Sequence, residues 1–537
     1  MENSERGRVL NGKFLHQGHR SHIVLAACAS TEKAHERENG LFTKAIISIL
    51  EKKKRDKSIY NFSSGLTSRK VPVIPFYAHN GAKISCARQN PQCEGHYSRR
   101  RMLFNPEAIP RRRPVFDVTK LDDNNRVKDL GADLIVYAGE ILGIVLGAEF
   151  AVYPSWRSFW LGQPQGHALV SAVSGTASLL RTVGGSFCHM EPGAIALQTS
   201  KTPETFLVYA ADGALECVET ALAQDNKGLH RAYEWPQLAV TADAEQVVKL
   251  VVDADPEDGT IRFLHHKSSV IRELGLQKLC LSVPQDSERP ARRATRVRDI
   301  LQAGAHFFKH LTCEPKQGFS IFKEQHVQVT LHELIEGEDF HVIADGQIIR
   351  QMKTINHLEM DPILKAYKVN ASKWSADDEE PTLYGVQITN KLAVGLFVWM
   401  FFFDCSTFEI CTYAEPRITA VKTLVDAPVP GRRSDKEPHP VPVNFGNSGN
   451  QPLMFRLYEG QRLDVGFLRI FVSTRYADLS SIVQGSLKEE CEERVIYELP
   501  EDEKGTRGVV KSRRMHIDKD IDGYWDVITL PLIQTSD

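Results

Sequence analysis

The 537-residue chain reads as an α/β segment, a partial parallel sheet with flanking helices, followed by β-rich middle and C-terminal domains. Three observations predict this. A continuous apolar run, Ile23-Val24-Leu25-Ala26-Ala27, leads straight into Cys28, as a strand buried on both faces does. Phe42, Ala45, Ile46, Ile49 and Leu50 then recur at helical spacing within 41–54, the stripe of a helix that covers a sheet. From Val327 onward, short apolar segments return about every ten residues, the rhythm of a sandwich or barrel.

Taken in order, residues 1–20 are a polar head carrying Glu5-Arg6-Gly7-Arg8 and His16-Gln17-Gly18-His19, and the α/β segment covers 21–106. Pro106, Pro110 and Pro114 around Arg111-Arg112-Arg113 mark a boundary. A middle α+β domain is expected over 115–315. Within it, 134–153 holds two apolar runs parted by glycines, and 168–196 alternates strand-like segments with Gly and Ser turns. Phe206 opens another apolar segment, and 239–252 mixes strand and helix patterns. Arg292, Arg293, Arg296 and Arg298 are expected on one solvated face of a helix running towards His310. A C-terminal β-rich domain, sandwich or barrel-like, is expected over 325–537. Its clearest strands are 383–388, 453–457 and 465–473, with a long loop at 425–451. The most apolar stretch, 392–403, is too short for the roughly 20 residues of a membrane helix. Rich in aromatics and closed by Asp404, it reads as a strand through a core.

Cys28 is the candidate for chemistry. A thiol at the C-terminal end of a buried strand sits where open α/β sheets place their active groups. Periodicity alone favours the plainer reading, a buried small hydrophobe. Residue pattern shifts the balance. Ser21-His22-Ile23-Val24-Leu25-Ala26-Ala27-Cys28, with Glu32 to Glu38 and Gly40-Leu41-Phe42-Thr43-Lys44-Ala45 after it, resembles the nucleophile segment of caspase-like peptidases. The similarity is to large fungal proteins carrying a metacaspase-like caspase domain. Arg88-Gln89-Asn90-Pro91-Gln92-Cys93-Glu94-Gly95, followed by Arg101-Met102-Leu103-Phe104, resembles a run that precedes the last strand of the caspase fold in those proteins. Asp464-Val465-Gly466-Phe467-Leu468-Arg469-Ile470-Phe471, continuing to Ser480, resembles their C-terminal region.

The resemblance implies that 21–106 is the C-terminal half of a caspase-like domain and that the protein is a cysteine-type endopeptidase acting on polypeptide substrates. Cys28 carries over as the nucleophile, and its own N–H as an oxyanion donor. The partner histidine does not carry over. In caspases it lies on the order of 50 residues upstream of the cysteine, and only 27 residues precede Cys28 here. His22 opens the strand that ends in Cys28, about 20 Å away at roughly 3.3 Å per residue. His16 and His19 lack the crossover length that a parallel neighbour needs. His35, His79 and His96 read as solvated polar residues. The expectation is a chain truncated at its N-terminus, inactive as it stands. The alternative is a non-catalytic caspase-like platform with a β-rich binding module.

Composition narrows the partners. A net charge of −2 and 42% hydrophobic residues fit a folded chain with no pull towards nucleic acid, and the arginine clusters lack interleaved aromatics. Ten scattered cysteines show no pairing pattern, as expected of reduced thiols in a cytoplasmic protein. No signal peptide and no membrane association are expected. Cys86 and Cys93, flanked by His79 and His96, do not have zinc-site spacing. His332-Glu333 lacks the second histidine of a zinc protease, and Gly184-Gly185-Ser186 lacks the flanks of a nucleophile elbow. No cofactor and no metal are expected. The β-rich module offers a surface for a protein partner or for homo-oligomers.

Overall fold

Strands dominate the described residues, which in this computed structural model are 24–26, 92–94, 115–121, 132–487 with short interruptions, and 523–536. The chain divides into two units. One gathers Met1–Arg111, Glu338–Arg350 and Pro416–Ala427; the other gathers Arg112–Gly337, Gln351–Glu415 and Pro428–Asp537. In the first, β1 (Val24–Ala26) pairs antiparallel with β2 (Gln92–Glu94).

The second unit begins with a closed barrel. Its strands are β3 (Val115–Lys120), β4 (Leu134–Val136), β5 (Glu149–Tyr153), β6 (Gly166–Val173), β7 (Ser178–Val183) and β8 (Ile195–Gln198), closing in the order β3-β4-β7-β6-β5-β8. Alternation sets the two faces. Phe116, Val118, Leu134, Val136, Phe150, Val152, Val170 and Leu180 are buried and point inward by register. On the outward face, Ala151, Tyr153, Ile195 and Leu197 are covered by Phe159, whose ring meets Tyr153 edge-on at 5.2 Å.

Next comes a mixed sheet of β9 (Thr205–Ala210), β10 (Gln237–Thr241), β11 (Leu250–Ala254), β12 (Ile261–His265) and β13 (Lys278–Val283), in the order β10-β9-β11-β12-β13. β9 is parallel to both β10 and β11. Helix α1 (Asp212–Ala223) supplies the crossover that parallel strands require. The short α2 (Val270–Glu273) is capped by the Ser269 hydroxyl, which accepts from Ile271 N–H at 3.2 Å. The segment 239–252, whose pattern mixed helix with strand, supplies β10 and β11.

Helix α3 (Pro290–Leu311) opens on proline, whose missing N–H costs nothing at a helix start. It is buried on two sides because it lies between sheets. Phe308 stacks on Phe206 of the mixed sheet at 5.8 Å, while Phe307 meets Phe403 at 5.4 Å. The expected solvated arginine face is corrected here. Arg292 is exposed, but Arg298 is only 5% exposed, and Arg293 donates to the Gly259 carbonyl. The helix is covered on too much of its circumference for all four to reach water.

The remaining strands form a sandwich. They are β14 (Val327–Val342), β15 (Ile348–His357), β16 (Tyr367–Asn370), β17 (Ser372–Lys373), β18 (Leu383–Asn390), β19 (Phe397–Asp404), β20 (Ile410–Ala414), β21 (Val441–Pro442), β22 (Leu453–Met454), β23 (Arg456–Leu457), β24 (Leu463–Ser473) and β25 (Trp525–Thr535). One sheet runs β15-β14-β18-β21 and the other β16-β25-β24-β19-β20. Leu331, Val386 and Ile388 of the first meet Met400, Leu468, Ile470 and Leu532 of the second in one core. Each such side chain contributes about 1.5–3 kcal/mol when fully buried. The second sheet is buried on both faces, by the first sheet and by α3. That explains why β19 is an unbroken apolar run rather than an alternating one.

Candidate functional site

β1 lies in the segment that resembles the nucleophile strand of caspase-like peptidases. It ends at Ala26, two residues before Cys28, and its ladder sets Val24 opposite Glu94, Leu25 opposite Cys93 and Ala26 opposite Gln92. Two of the three resemblance segments are thus hydrogen-bonded neighbours. The resemblance placed a strand after the Pro-Gln-Cys-Glu-Gly run, whereas here Gln92–Glu94 of the run is itself a strand. The one pairing described for β1 is antiparallel. Cys28, the helix expected within 41–54, and His16, His19, His22, His35, His79, Cys86 and His96 lie outside the described residues.

The third segment is β24, and it enters a buried polar cluster. β19 and β24 run antiparallel with Asp404 opposite Gly466, which brings Asp404 and Asp464 together at one end of the sheet. A turn over 404–409 follows β19. Asp404 Oδ1 accepts from Ser406 N–H at 2.8 Å, Thr407 N–H at 3.2 Å and Ser406 Oγ–H at 2.8 Å. Ser406 Oγ also lies 3.3 Å from Asp464 Oδ2, and Val465 N–H donates to Asp464 Oδ1 at 2.8 Å. Burial raises both carboxyls above the usual range, and repulsion from Asp404 adds to the rise of Asp464. Cys405, between them in sequence, is fully buried and its thiol is pushed well up by burial and the two aspartates. From the mixed sheet, His265 Nε2–H donates to the Cys405 carbonyl at 3.0 Å. Burial drives His265 down to about 4, so its ring is neutral.

A second cluster ties the barrel to the sandwich. Glu140 is 5% exposed. Its Oε2 accepts from Trp525 Nε1–H at 3.0 Å and its Oε1 from Lys316 N–H at 3.3 Å. Nearby, Lys309 Nζ donates to the Leu142 carbonyl at 3.3 Å. Arg469 donates to the Cys313 carbonyl and, at 2.8 Å, to Thr529 Oγ1, and burial lowers it to about 10. His310 is held well below its ordinary range by burial and by the charges of His306, Lys309 and Arg469.

Sequence reasoning missed these clusters. Their only trace is an acidic or basic residue inside or against an apolar strand, as with Asp404, Asp464 and Arg469. Among the described residues, no group of three or more His, Cys, Asp or Glu side chains is placed to hold a metal ion, and no helix is long and apolar enough to cross a membrane. Comparison with protein families, curated proteins and solved structures finds no match.

Proposed function

We propose that this chain is a caspase- or metacaspase-type cysteine endopeptidase relative, with Cys28 as the nucleophile, its partner histidine not carried over so that it is inactive as it stands, and a β-rich body attached. The observation that carries the reading is the β1–β2 ladder, Leu25 opposite Cys93. It joins the nucleophile strand to the other N-terminal segment that resembles those peptidases. In the chemistry this implies, the Cys28 thiolate attacks a peptide carbonyl and backbone N–H groups beyond the strand take the oxyanion. The C–N bond then breaks to leave an acyl-enzyme, the departing amine taking a proton from solvent where no histidine carries over to give one. A peptide bearing a thiol-directed electrophile tests it. Labelling of the full chain that disappears in Cys28→Ala supports the reading, and labelling that persists in the variant ends it.

A second reading, the non-catalytic platform, is favoured by one feature of the sandwich. The turn after β15 presents Ile363 at 88% exposure, with Met360 and Leu364 beside it. The turn is stiff. Asp361 Oδ1 accepts from Ile363 N–H and Leu364 N–H at 3.0 Å each, and Asp361 Oδ2 pairs with Lys368 at 3.0 Å. A pre-ordered apolar tip suits contact with another protein, because little further ordering is lost on binding. Under this reading, Ile363→Asp weakens self-association or partner capture and leaves Cys28 labelling unchanged.

A further inference from the structure

The 404–409 turn is the joint between the sandwich and the mixed sheet. Cys405 N–H donates to the Val465 carbonyl at 3.1 Å and Cys280 N–H to the Ser406 carbonyl at 2.8 Å. His265 adds its bond to the Cys405 carbonyl. Phe408, at the far side of the turn, is fully buried and has φ of 58°. That left-handed conformation is strained for a bulky residue. Its ring is gripped by Phe307 and Phe308 of α3, at 5.1 and 5.8 Å. The joint is therefore held closed against local strain.

Two carboxyls share one hydroxyl inside this joint. Ser406 Oγ stands 2.8 Å from Asp404 Oδ1 and 3.3 Å from Asp464 Oδ2, and a hydroxyl has a single hydrogen to give. Asp404 Oδ1 also receives two backbone N–H groups, the surroundings of an ionised carboxylate. Among the described residues, the hydrogen-bond neighbour of Asp464 Oδ2 is the Ser406 hydroxyl. Among the described residues, neither carboxylate has a cationic partner. Two like charges so close in a dry turn are strongly disfavoured, so one carboxyl keeps its proton.

We propose that Asp464, Ser406 and Asp404 form a one-proton latch. Asp464 Oδ2–H donates to Ser406 Oγ, Ser406 Oγ–H donates to Asp404 Oδ1, and loss of the Asp464 proton to base in the solvent frees the turn from the mixed sheet. Only the Asp464 O–H bond breaks, and both carboxylates are then charged. The other titratable groups bonded to or lying on the turn are Cys405 and Glu409 on it, Cys280 of β13, and His265 of β12, with Arg272 bonded to the His265 carbonyl at 3.3 Å. Of these, Arg272 alone is cationic above neutral pH, and it bonds to neither carboxylate. The rise of Asp464, from burial and from Asp404, agrees in direction, while burial raises Asp404 too and its bonds from Ser406 and Thr407 oppose that rise.

Hydrogen exchange of the full chain, read by mass spectrometry on peptides covering β19 and β20, tests the latch. Protection of the turn amides, corrected for intrinsic exchange, is expected to fall about tenfold per pH unit once the proton is lost, at a pH well above the ordinary carboxylate range. In Asp464→Asn the side-chain amide replaces the acid O–H as donor, and protection is expected to stay flat. An equal alkaline fall in wild type and Asp464→Asn overturns the proposal, as does a flat wild-type profile. Should the Asp464→Asn variant fail to fold, infrared spectra of the wild type decide. A buried carboxylic-acid band that vanishes on alkalinisation supports the latch, and its absence at neutral pH overturns it.

Discussion

Trp525 Nε1–H donates to Glu140 Oε2 at 3.0 Å across 385 positions of sequence. The bond links the connection between β4 and β5 of the barrel to the last strand of the sandwich. Both partners are buried, with Trp525 at 0% and Glu140 at 5% exposure. Trp525→Phe retains most of the ring packing on Phe471, stacked at 6.2 Å, but removes the donor. A hydrogen bond to a buried carboxylate contributes about 1.5–3 kcal/mol. Chemical denaturation of the variant is expected to show a loss of that size, and an unchanged midpoint would remove the tie from the account.

Gly139 tests how closely the same connection is packed. A Cβ there would press into the Ser174 carbonyl oxygen and lie 2.6 Å from both the Thr176 and Ala177 nitrogens. All three are backbone atoms of the neighbouring turn, so no side chain can swing aside. Overpacking of this kind costs typically about 1–3 kcal/mol. Gly139→Ala is expected to lower the thermal midpoint. Gly147→Ala serves as a control for space, since nothing lies within 4 Å of its added Cβ, although its φ of 79° still carries backbone strain. Gly139→Ala should therefore cost clearly more.

His265 gives the acid limb of stability. Burial lowers it from 6.5 to about 4, so the unfolded chain binds this proton at higher pH than the folded one. The sign follows: the contribution is present above about pH 6.5 and is lost as pH falls through about 4. Its size is about 3 kcal/mol, from roughly 1.4 kcal/mol per unit. His310, lowered in the same direction, adds to the same limb. His265→Gln, which retains a donor for the Cys405 carbonyl, should flatten the acid-side slope of unfolding free energy. A slope unchanged from wild type contradicts the assignment.

Much of the strand content was legible in the residues. The aromatic run ended by Asp404 is β19, and 465–473 lies within β24, because strands buried on both faces must be apolar throughout. The helix running to His310 is α3. Barrel closure was not legible, since which strand pairs with β3 is decided by register between β3 and β8, some 80 residues apart. The arginines of α3 misled because the helix packs on two sheets, which leaves too little of its circumference for one solvated face. For the functional site, Cys28 was singled out from pattern and resemblance, and the strand leading to it is present. The Asp404–Ser406–Asp464 arrangement left no more trace than an aspartate beside each apolar strand, because single polar residues at strand ends are ordinary and the β19–β24 register is what brings these three together.

The pH dependence of Cys28 alkylation is the most direct test of the nucleophile assignment. The rate at Cys28 can be followed by mass mapping beside Cys405, whose buried, raised thiol should stay unreactive in the folded chain. With the partner histidine not carried over, Cys28 is expected to react in the folded chain with the pH dependence of an ordinary thiol, about 8.5. No reaction at Cys28 until the chain unfolds would contradict a peptidase role for this residue.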